Sequence, residues 1–234
     1  MNIEKVLSKV SKAAQDAGRD INEILVLPVV KGQNEDVFET LRSAGYMSVG
    51  ENHVQEFLTH YDSTKTAGFK WHFIGQLQTN KVKYIVGKCD LIQSLDRISL
   101  AQEIDKRSKQ IGIITDCLIE LNVISEPEKG GLKFDPDNIY ESGKTAVDEF
   151  LDEIKDFKNL RIKGFMAVMP NEKDLCVLEK YYQSLGELFR YYKKHNGFNV
   201  LSAGMTNDFP TAIKYGATMI RLGRAIFSSQ IALS

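Results

Sequence analysis

Short runs of consecutive apolar residues alternate along the chain with stretches in which apolar residues recur every three or four positions. The chain opens with the second pattern, at Ile3, Val6, Leu7 and Val10, which predicts an N-terminal helix. The range 24–30 (ILVLPVV) then contains no polar residue. A continuous apolar run of this length is typical of a strand that is buried on both faces, as in a parallel sheet.

The alternation of helix and strand continues through the rest of the chain. The apolar runs predict eight strands, at 24–30, 46–49, 71–74, 90–93, 115–123, 162–168, 199–202 and 218–222. Helices are predicted between them at 35–43, 53–65, 81–86, 100–109, 147–158, 175–195 and 211–215. The segment 125–145, which contains several glycines and prolines, is predicted to be a long loop.

This order predicts an α/β fold, a single (β/α)8 TIM barrel over residues 1–234 with an extra N-terminal helix. Unbroken βα alternation implies a parallel sheet with right-handed crossovers, and eight units is the number that closes into a barrel. The length of 234 residues suits one barrel of this kind, which typically takes ~250 residues. A doubly wound open sheet is the alternative.

Composition narrows the class of protein. A hydrophobic fraction of 43% and a net charge of −1 argue against a disordered chain and against a basic surface for nucleic acid. The three cysteines form no C-x-x-C pair, which favours a reducing cytoplasm over a disulfide framework or a zinc site. No apolar run approaches the ~20 residues that span a bilayer, so we expect no membrane segment.

The four histidines do not predict a metal site. His53 and His60 are seven positions apart on one predicted helix, about 10.5 Å along its axis, too far to share an ion. His72 lies within an apolar strand, and we expect it to be a hydrogen-bonded core or pocket residue.

Polar and glycine residues follow most of the predicted strands, at the edge that carries the active site in an α/β barrel. Glu51 and the pair Asp96-Arg97 are among the polar residues nearby, but a helix cap or a surface ion pair explains them. The residues at this edge are Lys31-Gly32, Gly50-Glu51-Asn52, 75–80, Ser94, Asn122, Met169-Pro170, 202–206 and 221–224.

Lys31 ends the most apolar strand. Desolvation at such a position would favour the neutral amine that attacks an aldehyde, as an imine-forming lysine requires. A lysine that extends its ammonium into solvent is the alternative.

The last two strands are followed by loops suited to phosphate. Phosphate in such barrels often binds after strands seven and eight, on backbone N–H groups. Ser202 and Thr206 offer hydroxyls around Gly204, and Gly223 would let the main chain, with the amides of Gly223 and Arg224, approach a phosphate closely. The alternative is that these glycines only make tight turns.

Five longer segments resemble the YggS/PROSC family of pyridoxal phosphate homeostasis proteins. They span nearly the whole chain in the family's order: 50–56 (GENHVQE), 71–81 (WHFIGQLQTNK), 162–166 (IKGFM), 201–209 (LSAGMTNDF) and 220–227 (IRLGRAIF). The resemblance implies a fold-type III barrel, like the barrel domain of alanine racemase, with pyridoxal 5'-phosphate (PLP) held as an imine on Lys31.

The same resemblance assigns the other site residues. Arg221 should face the pyridine nitrogen, and Asn52 should lie beside the ring. The phosphate should be held by Ser202, Thr206, Gly223 and Arg224. Asn80 and Lys81 should rim the pocket. The chain departs from the family around the lysine, where Val30 replaces the usual Ser and Gly32 follows; Arg224 stands where relatives often have Thr.

The function implied is a monomeric cytoplasmic carrier that buffers PLP and supplies it to apo-enzymes, with no catalytic residue and no robust turnover. An arginine at the pyridine nitrogen disfavours protonation of the ring and weakens the electron sink needed for carbanion chemistry. An amino-acid racemase is the enzymatic alternative, and would need a second proton-transfer group facing Lys31. A lysine-imine aldolase without any vitamin cofactor is a third possibility.

Overall fold

A computed structural model describes residues 1–123, 130–170, 172 and 174–228. Its strands are β1 (Leu25–Pro28), β2 (Ser48–Glu51), β3 (Lys70–Phe73), β4 (Leu91–Leu95), β5 (Thr115–Asn122), β6 (Leu132–Lys133), β7 (Leu160–Ala167), β8 (Val200–Ser202) and β9 (Met219–Leu222). Its α-helices are α1 (Ile3–Asp16), α2 (Asp36–Ser43), α3 (Val54–Tyr61), α4 (Ile98–Gln110), α5 (Ile139–Ile154), α6 (Leu175–Asn196), α7 (Phe209–Lys214) and α8 (Arg224–Phe227).

The strands form one parallel sheet that curls into a nearly closed barrel. Its order is β1-β9-β8-β7-β5-β4-β3-β2, and every pairing is parallel. Beyond the end of β1, Val29 forms a parallel bridge with Gly50 of β2, and the Val30 N–H donates to the Gly50 carbonyl at 3.0 Å. The two ends of the sheet therefore meet, and the predicted eight-stranded barrel is confirmed.

The barrel interior begins with a small apolar layer. Its buried members come from five strands: Leu27, Leu91, Leu118, Met166 and Met219. Because side chains alternate between the two faces of a strand, the residue two positions further along each strand also faces inward. Those residues, nearer the carboxyl ends, include the polar Gln93, Glu120 and Arg221, so the interior changes from apolar to polar toward that edge.

The outer layer consists of helices packed on the sheet. The N-terminal helix is confirmed, and it buries Ile3, Val6, Val10 and Ala14 along one face. The Asn2 N–H donates to the Ile226 carbonyl at 2.9 Å, which ties the start of α1 to α8. No helix within the described ranges is long and apolar enough to cross a membrane.

The structure differs from the predicted elements in two places. The predicted helix at 81–86 is a 3-10 helix over Thr79–Tyr84. Helix α5 begins at Ile139 rather than at 147, and β6 pairs with β5, so part of the predicted loop 125–145 is regular structure; residues 125–129 lie outside the described ranges. Gly143, a loop signal in the sequence, is where α5 packs closely on α6: an added Cβ would lie 3.2 Å from the Leu188 side chain.

Candidate functional site

A cavity of about 600 Å³ opens at the carboxyl ends of the strands, within the ~300–1,000 Å³ range of small-molecule sites. Its walls include the apolar side chains of Val29, Ile74, Val168 and Phe227. Six of the seven residues predicted from the sequence also line it: Lys31, Asn52, Thr206, Arg221, Gly223 and Arg224. We call it the Lys31 cavity.

Lys31 lies in a tight turn directly after β1. The Gln33 N–H donates to the Val30 carbonyl at 3.0 Å, and Gly32 has a φ of +66°, a conformation that glycine adopts without strain. The Gly32 N–H also donates to the Glu56 carboxylate at 2.8 Å. The turn explains why glycine follows the lysine here. Lys31 is exposed, so the desolvation expected from the sequence is absent in this structure.

Arg221 is buried at the base of the cavity and held by three hydrogen bonds. One terminal nitrogen donates to the Ser202 carbonyl at 2.7 Å and to the Ser202 hydroxyl at 2.8 Å. The other donates to the Ala167 carbonyl at 2.8 Å. These contacts from β7 and β8 fix the plane of the guanidinium, which leaves a rigid cation at the cavity wall.

Ser202, which is predicted to hold the phosphate, is not among the residues that line the Lys31 cavity. It is fully buried, and its hydroxyl donates to Gln93 Oε1 at 2.6 Å while accepting from Arg221. Gln93 Nε2 lies 3.0 Å from His72 Nδ1, and burial lowers the pKa of His72 to about 4, so this imidazole is neutral and accepts. The expected core role of His72 is confirmed.

Gln93 is a member of this network that sequence reasoning missed. It was placed at the end of a predicted strand, whereas β4 continues to Leu95 and places Gln93 inside the barrel. A signal was present, since Gln93 stands two positions after the inward-facing Leu91.

The two predicted phosphate loops differ in how their glycines are used. Gly204 has a φ of +96°, and an added Cβ would lie 2.6 Å from the Ala212 Cβ, so it serves the packing of the loop on α7. At Gly223 the nearest atom to an added Cβ is the Val29 carbonyl oxygen at 3.4 Å, an ordinary contact. The main chain at Gly223 is therefore not closed off by protein packing.

The Asp208 carboxylate holds the loop after β8 in place through two hydrogen bonds. One carboxylate oxygen accepts from the Met205 N–H at 2.6 Å, and the other accepts from the Tyr182 hydroxyl at 2.6 Å. The buried ring of Tyr182 on α6 thereby fixes the loop that presents Thr206 to the cavity.

Asn52 is fixed by a residue of β2 and by the loop after β3. The buried Glu51 carboxylate accepts from the Asn52 N–H at 2.6 Å and from the His53 N–H at 3.1 Å; these residues precede α3, so Glu51 does not provide the helix cap expected of it. Burial raises the pKa of Glu51. On the other side, an added Cβ at Gly75 would lie 2.0 Å from the Asn52 carbonyl oxygen, so only glycine fits there.

The histidines and carboxylates of the described residues form no group of three or more that could hold a metal ion. His60 Nδ1 lies 3.8 Å from Glu51 Oε2 in the core, whereas His53 is exposed. The expected surface pair Asp96-Arg97 is present, with 2.5 Å between its nearest atoms.

Glu120 is a partly buried carboxyl that the sequence did not single out. It faces a smaller cavity of about 210 Å³ together with Gln76 and Val168, and Val168 also lines the Lys31 cavity. Burial raises the pKa of Glu120 to about 7; the negative charge of Asp96 adds to this effect, and the positive charge of Arg221 opposes it.

Asn80 and Lys81, predicted to rim the pocket, lie outside the Lys31 cavity. Lys81 lines a neighbouring cavity of about 510 Å³. Asn80 is exposed near the start of the 3-10 helix and lines neither of these two cavities.

The sequence is similar to that of other proteins over nearly its whole length. No family model matches it. The pyridoxal phosphate homeostasis protein of Aquifex aeolicus is 38% identical over 232 residues, which covers 97% of this chain and 96% of the relative. The chain belongs to the pyridoxal phosphate homeostasis protein family. Its Escherichia coli K12 member is 30% identical over 234 residues, covering 98% of this chain and 95% of the relative.

Solved structures support the same barrel. PipY of Synechococcus elongatus PCC7942, with PLP bound, has a TM-score of 0.78 at 21% identity, covering 94% of this chain and 100% of PipY. Alanine racemase of Clostridium difficile 630 has a TM-score of 0.69 at 11% identity, covering 98% of this chain and 57% of the racemase. At these identities the likeness concerns the fold, which is the racemase-like barrel expected from the sequence.

Proposed function

We propose that this chain, as one domain over residues 1–234, binds PLP in the Lys31 cavity and carries it as an imine on Lys31. The observation that carries the proposal is the convergence, in one cavity, of a primary amine, a rigid buried cation and an unobstructed glycine main chain at Lys31, Arg221 and Gly223. When bound, PLP supplies an aldehyde for the amine and a phosphate for the loops. The name and full-length similarity of the Aquifex relative support this assignment.

The residues around the cavity suit the separate parts of the ligand. Thr206 offers a hydroxyl, Arg224 a guanidinium and Gly223 a main chain open to close approach, the groups that hold a phosphate. Asn52 would stand beside the ring. Ser202 acts as a positioning residue, since its hydroxyl and carbonyl hold Arg221 in place.

Arg221 would face the pyridine nitrogen. Its three hydrogen bonds prevent the guanidinium from turning away, and a fixed positive charge there disfavours a second one on the ring. The ring would then be a weak electron sink, which suits a carrier better than a catalyst of carbanion chemistry.

The racemase alternative lacks a second proton-transfer group. The described residues that line the Lys31 cavity include Lys31 and two arginines but no aspartate, glutamate, histidine, cysteine or tyrosine. This lining supports a carrier without robust turnover. We propose that the protein is a monomeric cytoplasmic carrier that buffers PLP and delivers it to apo-enzymes, the role that the family resemblance implies.

Borohydride reduction followed by peptide mass mapping tests the attachment site. We expect wild-type protein incubated with PLP to carry one reduced pyridoxyl group on Lys31, and Lys31→Ala to carry none while keeping its fold. Lys31 is exposed in a surface turn, so its replacement should not disturb the core.

Lys81→Ala and Lys83→Ala are matched controls, because both lysines follow β3 and lie outside the Lys31 cavity. Both should retain the adduct. A stoichiometric adduct on Lys81 or Lys83 in the Lys31→Ala protein would refute the assignment. A colourless wild-type protein with no trappable adduct would refute the PLP carrier and favour the alternative of a lysine-imine aldolase without a vitamin cofactor.

A further inference from the structure

The second cavity beside Lys31 has a composition of its own. Its volume is about 510 Å³, and it lies between the start of α3 and the 3-10 helix at Thr79–Tyr84. We call it the amide cavity, after the side-chain amides of its polar wall, which consists of Asn52, His53, Gln55, Gln76 and Gln78, with Lys81 and Tyr84. Asn52 is the one described residue that lines both this cavity and the Lys31 cavity.

The polar wall of the amide cavity is rich in hydrogen-bond donors and has no negative charge. No aspartate or glutamate is among the described residues that line it. Within the described part of the chain Lys81 forms no ion pair, and its ammonium lies 5.7 Å from the centre of the Tyr84 ring. Primary amides and an uncompensated ammonium together favour an anion.

Charge and shape narrow the kind of anion. Lys81 is the one lysine of this lining, which matches a ligand with a single negative charge better than a phosphate dianion. Val54 and Leu58 add an apolar part to the lining, which an organic ligand could cover and a bare inorganic ion would leave unused. These features describe a small organic carboxylate.

We propose that the amide cavity binds a small organic monocarboxylate, with its carboxylate at Lys81 and the neighbouring amides. The site is distinct from the Lys31 cavity and, among the described residues, shares only Asn52 with it. Because Asn52 is held by Glu51 and packed against Gly75, a ligand in the amide cavity contacts a rigid part of the wall between the two sites. The proposal does not depend on PLP binding.

The test is a titration of isotope-labelled, cofactor-free protein followed by NMR of the backbone and side-chain amides. The probes are pyruvate, L-alanine and inorganic phosphate, each added at constant ionic strength. We expect saturable shifts at Gln55, Gln76 and Gln78 with pyruvate, with alanine or with both, and the pattern identifies which source of carboxylate the site accepts. Phosphate should bind at least about tenfold more weakly.

Lys81→Gln and Lys83→Gln form a matched pair, since both remove one positive charge from the same 3-10 helix. Lys83 lies 4.9 Å from the Tyr84 ring but does not line the cavity. Lys81 is exposed, so Lys81→Gln should weaken carboxylate binding by about three- to fivefold, the loss expected for one ion pair in contact with solvent, and Lys83→Gln should weaken it by less than about twofold.

Three results would overturn the proposal. The first is the absence of saturable shifts at these amides with either carboxylate. The second is equal weakening by the two lysine variants, which would indicate a general charge effect. The third is a set of shifts centred on Thr206 and Gly223, which would place the carboxylate in the Lys31 cavity. Failure to trap PLP on Lys31 would refute the proposed function and leave these titrations unaffected.

Discussion

Replacing Glu120 by glutamine should stabilise the protein at neutral and alkaline pH but not in acid. Glu120 lies on β5 inside the barrel, and its Oε2 has no hydrogen-bond partner. Burial, with the charge of Asp96, raises its pKa from 4.5 to about 7, although Arg221 pulls it down. Ionising this carboxyl therefore requires more free energy in the folded protein than in the unfolded chain.

The direction of the pH dependence follows from this shift. Below about pH 4.5 the carboxyl is protonated in both the folded and the unfolded state, so its full contribution to stability is present. Between about pH 4.5 and 7 the unfolded chain loses the proton while the folded protein keeps it, and stability falls. Above that window the loss is complete.

The size of the effect can be bounded from the same values. A shift of roughly 2.5 pH units corresponds to about 3 kcal/mol, and because Glu120 is only partly buried we expect about 1–3 kcal/mol. Glutamine keeps the shape of the side chain and cannot ionise. Glu120→Gln should therefore exceed the wild type by this amount at pH 8 and match it near pH 4.5.

Urea unfolding followed by circular dichroism at several pH values between 4.5 and 8 measures this difference. The matched control is Glu153→Gln, the same substitution at an exposed position of α5, and the Glu120→Gln difference from the wild type at pH 8 should exceed that of this control. Asp96→Asn should lower the upper limit of the pH window, because it removes the negative charge that helps to raise the pKa of Glu120. A Glu120→Gln difference that is constant with pH, or a variant less stable than the wild type at pH 8, would refute the reasoning.

Three further predictions concern the Lys31 cavity. Gly223→Val should reduce PLP affinity by at least about tenfold in an absorbance titration with the fold intact, since an added Cβ meets only Val29, with its carbonyl oxygen at 3.4 Å and its Cβ at 3.6 Å. Wild-type affinity in a folded variant would place the phosphate elsewhere. Ser202→Ala should lower the free energy of unfolding by about 1–3 kcal/mol and weaken PLP binding, because Arg221 and Gln93 both lose a partner; unchanged values for both would contradict its positioning role. The pure wild-type protein should racemise neither alanine nor serine above background in a chiral assay, and ordinary enzyme turnover would overturn the carrier proposal.

The sequence by itself determined the barrel and its family. Helical and strand periodicities are local properties, so the apolar runs located all eight barrel strands and the N-terminal helix before any contact between them was known. The same reasoning placed Lys31 after the first strand and Gly223 after the last. Six of the seven proposed site residues line one cavity, although their role toward PLP stays a prediction.

Only the tertiary structure decided which polar groups meet inside the barrel. Ser202 has the residue type and position of a phosphate ligand, yet its hydroxyl is committed to Gln93 and Arg221. Gln93 and Glu120 belong to apparently apolar strands, and their importance depends on facing inward across a closed barrel. Local periodicity shows how side chains alternate between the two faces of one strand. The register between distant strands determines which side chains come within hydrogen-bond distance, and that register exists only in the folded barrel.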